Sequence, residues 1–202
     1  GKSVRMPDAE DAAASWQDKN GELARVFAGL LNEVELLSGK WEGKPFIKKR
    51  KGADAEYRLD TPSDERPTTI QRVPGLHLVD KHILINGKPT PAIAIIYALH
   101  ALNTYAALKQ SGSGTYYYQP KTQTAAEALI VEKLLMKLEE LMGLPLGTIK
   151  IEMLYEEGNA GRQMPAIMWI YRHRLIGSNV GRWDYLGSLI EMWKDEAVFS
   201  DP

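Results

Sequence analysis

Gly177-Ser-Asn-Val-Gly-Arg-Trp-Asp-Tyr185 is the stretch that decides how this chain folds. It follows a short apolar step, Leu175-Ile176, and precedes an apolar run over 186–193, so it belongs at the end of a strand and in the loop after it. Two glycines bracket a polar segment, and Arg182, Trp183 and Asp184 then stand side by side. Glycine lets a backbone approach a ligand closely, and the N–H groups at the start of a helix attract anions. An acid in the same turn could hold a divalent cation against that anion. The same letters also spell an ordinary loop whose aspartate caps the next helix.

Working back from this stretch, a weak helical pattern covers 164–174, and a strand over 149–155 ends in Glu156-Glu157. The clearest helix is expected over 125–142, with Leu134, Leu135, Leu138 and Leu141, a stop at Gly143 and Pro145 beyond. Aromatic and β-branched content marks a strand over 115–118, ending in Gln119-Pro-Lys121. A long apolar helix over 91–109 carries Ile93, Ile96, Tyr97, His100, Leu102 and Leu108, and Ser111-Gly-Ser-Gly114 halts it. A strand over 68–72 ends at Val73-Pro-Gly75, and 82–85 runs into an Asn86-Gly87 turn that marks a minor strand pair. Residues 38–67 are rich in Gly, Pro and charge and are expected to form an excursion or small hairpin. Before them, 12–37 has helical spacing of Trp16, Leu23, Val26, Phe27, Leu30 and Leu31, interrupted at Asn20-Gly21.

Strands alternating with helices predict an α/β fold with a parallel sheet. Polar residues fall at the carboxyl ends of nearly every strand: Asp8 and Glu10, Arg72, Lys121, Glu156 and Asp184. Such convergence from several strand ends is the layout of a TIM-type (β/α) barrel. An open doubly wound sheet would favour one crevice with a Gly-rich phosphate turn, and the chain has no GxGxxG or Walker pattern.

The bulk numbers are those of an ordinary soluble domain: 202 residues, 44% hydrophobic and 25% charged. A net charge of −1 gives no global footprint for nucleic acid or anionic membrane. The basic cluster Lys48-Lys-Arg-Lys51 is followed by Asp54, Glu56, Asp60, Asp64 and Glu65, so the region cancels itself. Cysteine is absent, which excludes disulfides and Cys-ligated metal and fits a reducing compartment. No apolar run reads as a membrane span of ~18 to 20 residues, and Gly1-Lys-Ser-Val-Arg5 leads into no signal-type apolar region, so a cytoplasmic setting is expected.

Glu156 and Asp184 end consecutive βα units, which would put their carboxylates on neighbouring strands. Two hard oxygen ligands, completed by water and substrate oxygens, suit Mg²⁺; as surface acids they would merely cap helices. Glu157 competes with Glu156, and strand alternation lets only one point inward. Arg72 could bind an anionic or carbonyl substrate through its planar fork, or simply pair with a neighbouring acid. Asp8, Glu10 and Asp11 could orient metal-bound waters, or bias the first turn of a helix. Asp8 and Glu10 share a face if extended. His77, His82, His100 and His173 are too scattered for a metal set, and His100 fits a satisfied core histidine. Tyr116, Tyr117 and Tyr118 alternate in direction along a strand, which favours packing over a stacking platform.

Taken in series, five phrases resemble malate synthase, nearest its shorter A-type form. They are Asp8-Ala-Glu-Asp11 with Ser15-Trp16, Arg72-Val-Pro-Gly-Leu-His-Leu78 with Lys81-His82, and Gly112-Ser-Gly-Thr-Tyr-Tyr-Tyr-Gln-Pro-Lys-Thr-Gln123. Gly143-Leu-Pro-Leu-Gly-Thr-Ile-Lys150 and Gly181-Arg-Trp-Asp-Tyr185 complete the set. The resemblance implies a Mg²⁺-dependent barrel acyltransferase of the glyoxylate cycle that condenses acetyl-CoA with glyoxylate and releases malate and CoA. It implies that Glu156 and Asp184 ligate the metal and that the backbone N–H groups from Gly181 through Arg182 and Trp183 to Asp184 meet the glyoxylate carboxylate. Arg72 would stabilise the enolate oxygen of acetyl-CoA, Asp8 and Glu10 would lie near the metal waters, and Lys121 follows the family's Pro-Lys phrase. Three positions depart from it: Tyr155-Glu-Glu157 where the family has Ile-Glu-Thr, an alanine in place of a serine after the acidic cluster, and Val180 in place of a cysteine.

Against the family's length, the resemblance covers about five of eight βα units, the second to the sixth. The family's N-terminal helical segment and its C-terminal domain, which carries the catalytic base, have no counterpart in residues 1–202. The late acids Glu191, Asp195, Glu196 and Asp201 lie on or after a helix with no reason to point inward. The expectation is therefore that the 202-residue chain alone does not turn over, and that it is a piece of a longer enzyme, or a chain whose barrel another copy or a complementary chain completes, or a fold that closes differently. Two rival readings are a C–C lyase of the citrate lyase or malyl-CoA lyase group, and a non-catalytic barrel fragment acting as a binding or assembly module.

Overall fold

The computed structural model describes residues 4–8, 10, 46–50, 53–57 and 67–196. The helix expected over 12–37 and Asp11 lie outside them. In chain order the elements are β1 (Val4–Arg5), β2 (Phe46–Arg50), β3 (Ala53–Tyr57), β4 (Thr68–Arg72), β5 (Val79–Ile85), β6 (Lys88–Pro91) and α1 (Ala92–Gln110). They continue with β7 (Tyr116–Gln119), α2 (Ala125–Leu141), β8 (Lys150–Tyr155), α3 (Gly158–Arg162), α4 (Met164–Ile170), β9 (Leu175–Val180) and α5 (Arg182–Trp193).

Five strands form one curled parallel sheet in the order β1-β4-β7-β8-β9, with helices in the crossovers from β4 to β7, β7 to β8 and β8 to β9. This is the α/β barrel architecture that the strand-end polar pattern predicts. Within the excursion, β2 and β3 pair antiparallel, and the Asn86-Gly87 turn joins β5 to β6. Asn86 and Gly87 both adopt positive φ, as a tight primed hairpin turn requires.

Strand alternation divides the core between the two faces of the sheet. Tyr117, Ile151, Met153 and Tyr155 project toward the helices and pack with Ile93, Ile96, Tyr97, Val131 and Leu135. Ile70, Tyr118 and Leu154 form a smaller cluster on the opposite face, joined by Tyr116. Helix α2 shows why these segments are helical. Thr124 and Glu127 form a capping box at its start. At its end Gly143, at φ +66°, closes a Schellman turn in which Leu144 N donates to Glu139 O and Gly143 N to Glu140 O.

Two expectations change. The helix expected over 164–174 is shorter, and a separate short helix, α3, precedes it. It ends at Ile170, and β9 then takes up 175–180, so the opening stretch divides between strand (177–180) and helix (182–185) with almost no loop. Gly181 alone separates β9 from α5, and Arg182, Trp183 and Asp184 make the first helical turn. Second, α1 is 19 residues long with a mean hydropathy of 1.2, long and apolar enough by those measures to cross a membrane. Its Ile93, Ile96, Tyr97 and His100 are buried within the fold, which is the behaviour of a core helix.

Buried beneath the barrel units, and unforeseen, is an ionic cluster. The fully buried Arg174 guanidinium bonds Glu132 and Glu139 on α2 and the carbonyl of Ile149. Glu139 also accepts the N–H groups of Gly147 and Ile149. Glu132 and Glu139 stand seven residues apart in the same buried stripe as Val131, Leu135 and Leu138. Two acids inside an apolar stripe call for a buried cation, and that was the signal available in the sequence.

Candidate active site

The carboxyl ends of four neighbouring strands bring the charged residues into two adjoining groups. At the first, β1 leads into Asp8, which bridges to Arg72 at the end of β4, while Arg72 N donates to the carbonyl of Pro7. The Arg72 guanidinium contacts Asp8 Oδ2 at 3.4 Å and makes a close ion pair with Glu10. Glu10 N in turn bonds Asp8 Oδ1 at 2.9 Å. Asp8 and Glu10 thus hold the arginine fork, and Glu10 also acts electrostatically on Lys121 in the second group.

The second group is built by β7, β8 and the start of α5. Glu156, the residue after β8, is 1% exposed, whereas the Asp184 side chain is 48% exposed. Alternation settles the competition with Glu157, which becomes the residue preceding α3. The Lys121 ammonium stands between the two acids, 2.8 Å from Asp184 Oδ2 and 3.8 Å from Glu156 Oε2. The backbone N–H of Lys121 also donates to Glu156 Oε1 at 2.7 Å. Lys121 has φ +55°, a left-handed conformation rare for a residue with a side chain. Strain of that kind collects where the surroundings over-determine the backbone.

Electrostatics separates the two carboxyls. Burial pushes Glu156 up to about 7, helped by its hydrogen-bonding contact with Asp184 and opposed by the Lys121 N–H and ammonium. The hydrogen bond from Lys121 holds Asp184 below the usual aspartate value, against a smaller effect of burial. Burial disfavours the Lys121 charge, but the bond to Asp184 and the proximity of Glu156 raise its pKa above the ordinary lysine value. Arg72 lies 5.9 Å above the Tyr118 ring, and Tyr118 donates to Asn179 Oδ1 at 2.7 Å, bracing β7 against β9 across β8.

Gly181 contributes through its lack of a side chain. A Cβ there would lie 2.9 Å from Glu156 Cβ and 3.1 Å from Glu156 Oε2. Its N–H, expected to meet a substrate carboxylate, instead donates to the carbonyl of Tyr155 at 2.9 Å and completes the sheet. The first-turn N–H groups of α5, from Arg182 to Asp184, are the ones a helix leaves without internal partners. The Arg182 guanidinium stacks on the exposed Trp183 ring at 4.4 Å, so the two side chains cover each other at the surface. Among the described residues no group of three or more His, Asp or Glu could hold a metal alone. Sequence reasoning found Lys121 but not the role of its peptide N–H, because a backbone donor leaves no mark in the letters.

A parallel (β/α) sheet with an arginine, a lysine and two convergent carboxyls at its strand ends defines the catalytic face of a TIM-barrel protein. Residues 68–201 match the family of the malate synthase TIM barrel domain, and the chain belongs to that family. Malate synthase A of Escherichia coli is 40% identical over 193 residues, which is 95% of this chain and 33% of that protein. A malate synthase of Streptomyces clavuligerus is 30% identical over 198 residues, 96% of this chain and 34% of its own length. The chain therefore spans about a third of these relatives. Among solved structures, Haloferax volcanii malate synthase in a pyruvate/acetyl-CoA ternary complex superposes with a TM-score of 0.55 at 17% identity, over 92% of this chain and 41% of that one. At that identity the superposition speaks for the fold.

Proposed function

We propose that this chain carries the metal- and glyoxylate-holding part of a malate synthase-type site, for Mg²⁺-dependent condensation of acetyl-CoA with glyoxylate. The observation that carries the reading is the meeting of Glu156 and Asp184 around a single cationic group, with Arg72 on the neighbouring strand end. The family match favours this synthase over a C–C lyase relative.

The residues present fit a hard divalent cation. Two carboxylates from adjacent units already converge on one positive charge, the Lys121 ammonium, and Gly181 lets the start of α5 pass close against Glu156 without a clash. Two protein oxygens, with the rest from water and substrate, is the usual way of binding Mg²⁺. When bound, the ion would supply Lewis-acid polarisation of the glyoxylate aldehyde. The first-turn N–H groups of α5 would orient the glyoxylate carboxylate, with Asp184 fixed on the same turn. Arg72, held flat by Asp8 and Glu10, would stabilise negative charge as it develops on the thioester oxygen after a methyl proton leaves acetyl-CoA. The resulting carbon nucleophile attacks the aldehyde carbon, and hydrolysis of the thioester releases malate and CoA.

Removing the methyl proton needs a base within ~3 Å. Of the late acids, Glu191 pairs with Lys194 at 2.8 Å on the exposed face of α5, and Asp201 lies outside the described residues. The proposal is accordingly that the 202-residue chain binds cation and glyoxylate but does not turn over. Completion of the barrel would take place at β9, an edge strand of the described sheet, where Ile176 and Val180 are exposed beside Trp183, Leu186 and Ile190 of α5. Calorimetric titration with Mg²⁺ and then glyoxylate tests the binding, and thiol release from acetyl-CoA tests the turnover. Absence of any divalent-ion binding overturns the reading. Sedimentation shows whether a second copy covers the β9 edge.

A further inference from the structure

Behind Lys121 runs a line of buried polar groups that the mechanism above does not use. Gln119, the last residue of β7, is fully buried, as is Tyr97 of α1. The Tyr97 hydroxyl donates to Gln119 Oε1, and Gln119 Nε2 donates to the carbonyl of Pro120 at 3.1 Å. A carbonyl can only accept, so it fixes which end of the amide faces it and leaves Oε1 for the tyrosine. Pro120 and Lys121 share the next peptide, whose N–H reaches Glu156 Oε1 at 2.7 Å. Lys121 takes its left-handed φ of +55° at this point, and its ammonium meets Asp184.

An apolar side chain would pack the space of Gln119 without desolvating an amide. The amide is instead engaged at both ends, and one end grips the peptide that aims Lys121. Resting on the reading of Glu156 and Asp184 as cation ligands, we infer that Tyr97 and Gln119 are positioning residues: they clamp the Pro120–Lys121 peptide so that its N–H orients Glu156 and its side chain meets Asp184. Partners that orient ligands in this way typically change metal affinity about 10- to 100-fold when lost.

Tyr117 provides an internal control. Its ring packs edge-on against Tyr97 at 4.6 Å and its hydroxyl donates to the Tyr97 backbone carbonyl at 3.3 Å and lies 3.2 Å from His100 Nδ1, so Tyr117→Phe removes a bond of the same network while leaving the Tyr97 hydroxyl and the Gln119 amide in place. The experiment uses the 202-residue chain, with Mn²⁺ affinity measured by electron paramagnetic resonance and the Lys121 amide proton followed by NMR. Gln119→Glu keeps an acceptor for Tyr97 and, in its ionised form, removes the donor to Pro120. It is expected to weaken Mn²⁺ binding about tenfold or more and to move the Lys121 amide upfield. Tyr97→Phe shifts both readouts in the same direction by less. Tyr117→Phe lowers the melting temperature while leaving both readouts as in the wild type.

The inference is overturned if Gln119→Glu folds with wild-type affinity and Lys121 resonance, or if Tyr117→Phe weakens Mn²⁺ binding as much as Tyr97→Phe. Should Gln119→Glu fail to fold, the comparison of Tyr97→Phe with Tyr117→Phe decides the matter. If the wild-type chain binds no Mn²⁺, the cation-site reading fails, while the Lys121 resonance still tests the clamp separately.

Discussion

Replacing Glu156 by Gln tests the candidate site through stability alone. Burial lifts the Glu156 carboxyl to about 7 in the folded chain, from an ordinary value of 4.5. In the unfolded chain it ionises near the ordinary value, so between pH 4.5 and 7 the folded state holds a proton that the unfolded state has lost. Stability contributed by this group is therefore complete below pH 4.5, falls as pH rises toward 7, and is gone above that. At 1.36 kcal/mol per unit, the shift is worth at most about 3 kcal/mol. Glutamine mimics the protonated acid, since it can accept from Lys121 N and donate to Asp184. Urea denaturation of both proteins should give similar stabilities at pH 4.5 and a variant more stable by up to about 3 kcal/mol at pH 8. For a chain of this size that gap is roughly 6–12 °C in melting temperature. Mg²⁺ should close the gap at pH 8 by stabilising the wild type only. A difference that stays flat from pH 4.5 to 8 would refute the assignment of Glu156 as a carboxylate burdened by burial.

Four further outcomes are expected. Gly181→Ala puts a Cβ 2.9 Å from Glu156 Cβ, which should cost about 1–3 kcal/mol in urea denaturation and weaken Mn²⁺ binding. Arg174→Met leaves Glu132 and Glu139 buried without their cation, and a loss of about 3–5 kcal/mol should be seen by the same method. Burial lowers His100 to about 4 from 6.5. Its stabilisation is therefore present above pH 6.5 and lost as pH falls through 4, a slope worth at most about 3 kcal/mol that His100→Gln should abolish in denaturation at pH 4 and 7. Arg72→Lys replaces a fork held by Asp8 and Glu10 with a point charge. Circular dichroism should show folding retained, while glyoxylate-dependent thiol release in any completed barrel should fall about 100-fold.

What the sequence revealed and what it hid divide along a physical line. Strand and helix order follows from hydrophobic period, so β4, β7, β8, α1 and α2 stand within a residue or so of their expected limits. Charged residues immediately after strands mark a barrel face, and that alone brought Arg72, Lys121, Glu156 and Asp184 together on paper. The start of α5 was illegible because Arg182, Trp183 and Asp184 carry no cap: Gly181 precedes them, with no side-chain hydrogen bond to announce the helix. Pairings chosen by three-dimensional distance were equally hidden. Asp8 and Glu10 turn to Arg72 across a gap of more than 60 residues, and Gly181 gives its N–H to Tyr155. Neither choice has a local signature.

The charge balance of the assembled site gives an independent reason to expect a divalent cation. Among the described residues, Arg72 and Lys121 face Asp8, Glu10, Glu156 and Asp184, two cations against four carboxyls. With all four ionised, the site would repel an anionic substrate such as glyoxylate, and at an effective dielectric of about 20 each close charge pair matters by several kcal/mol. Protonating Glu156 removes part of the excess, which is the direction in which burial already pushes it. A doubly charged ion removes all of it and lets Glu156 ionise. On the proposed reading, cation binding and release of the Glu156 proton are the same event, so glyoxylate affinity without the ion should rise as pH falls below 7. With saturating Mg²⁺ that dependence should vanish, and calorimetry at pH 5.5 and 8 would expose the error if it persisted unchanged.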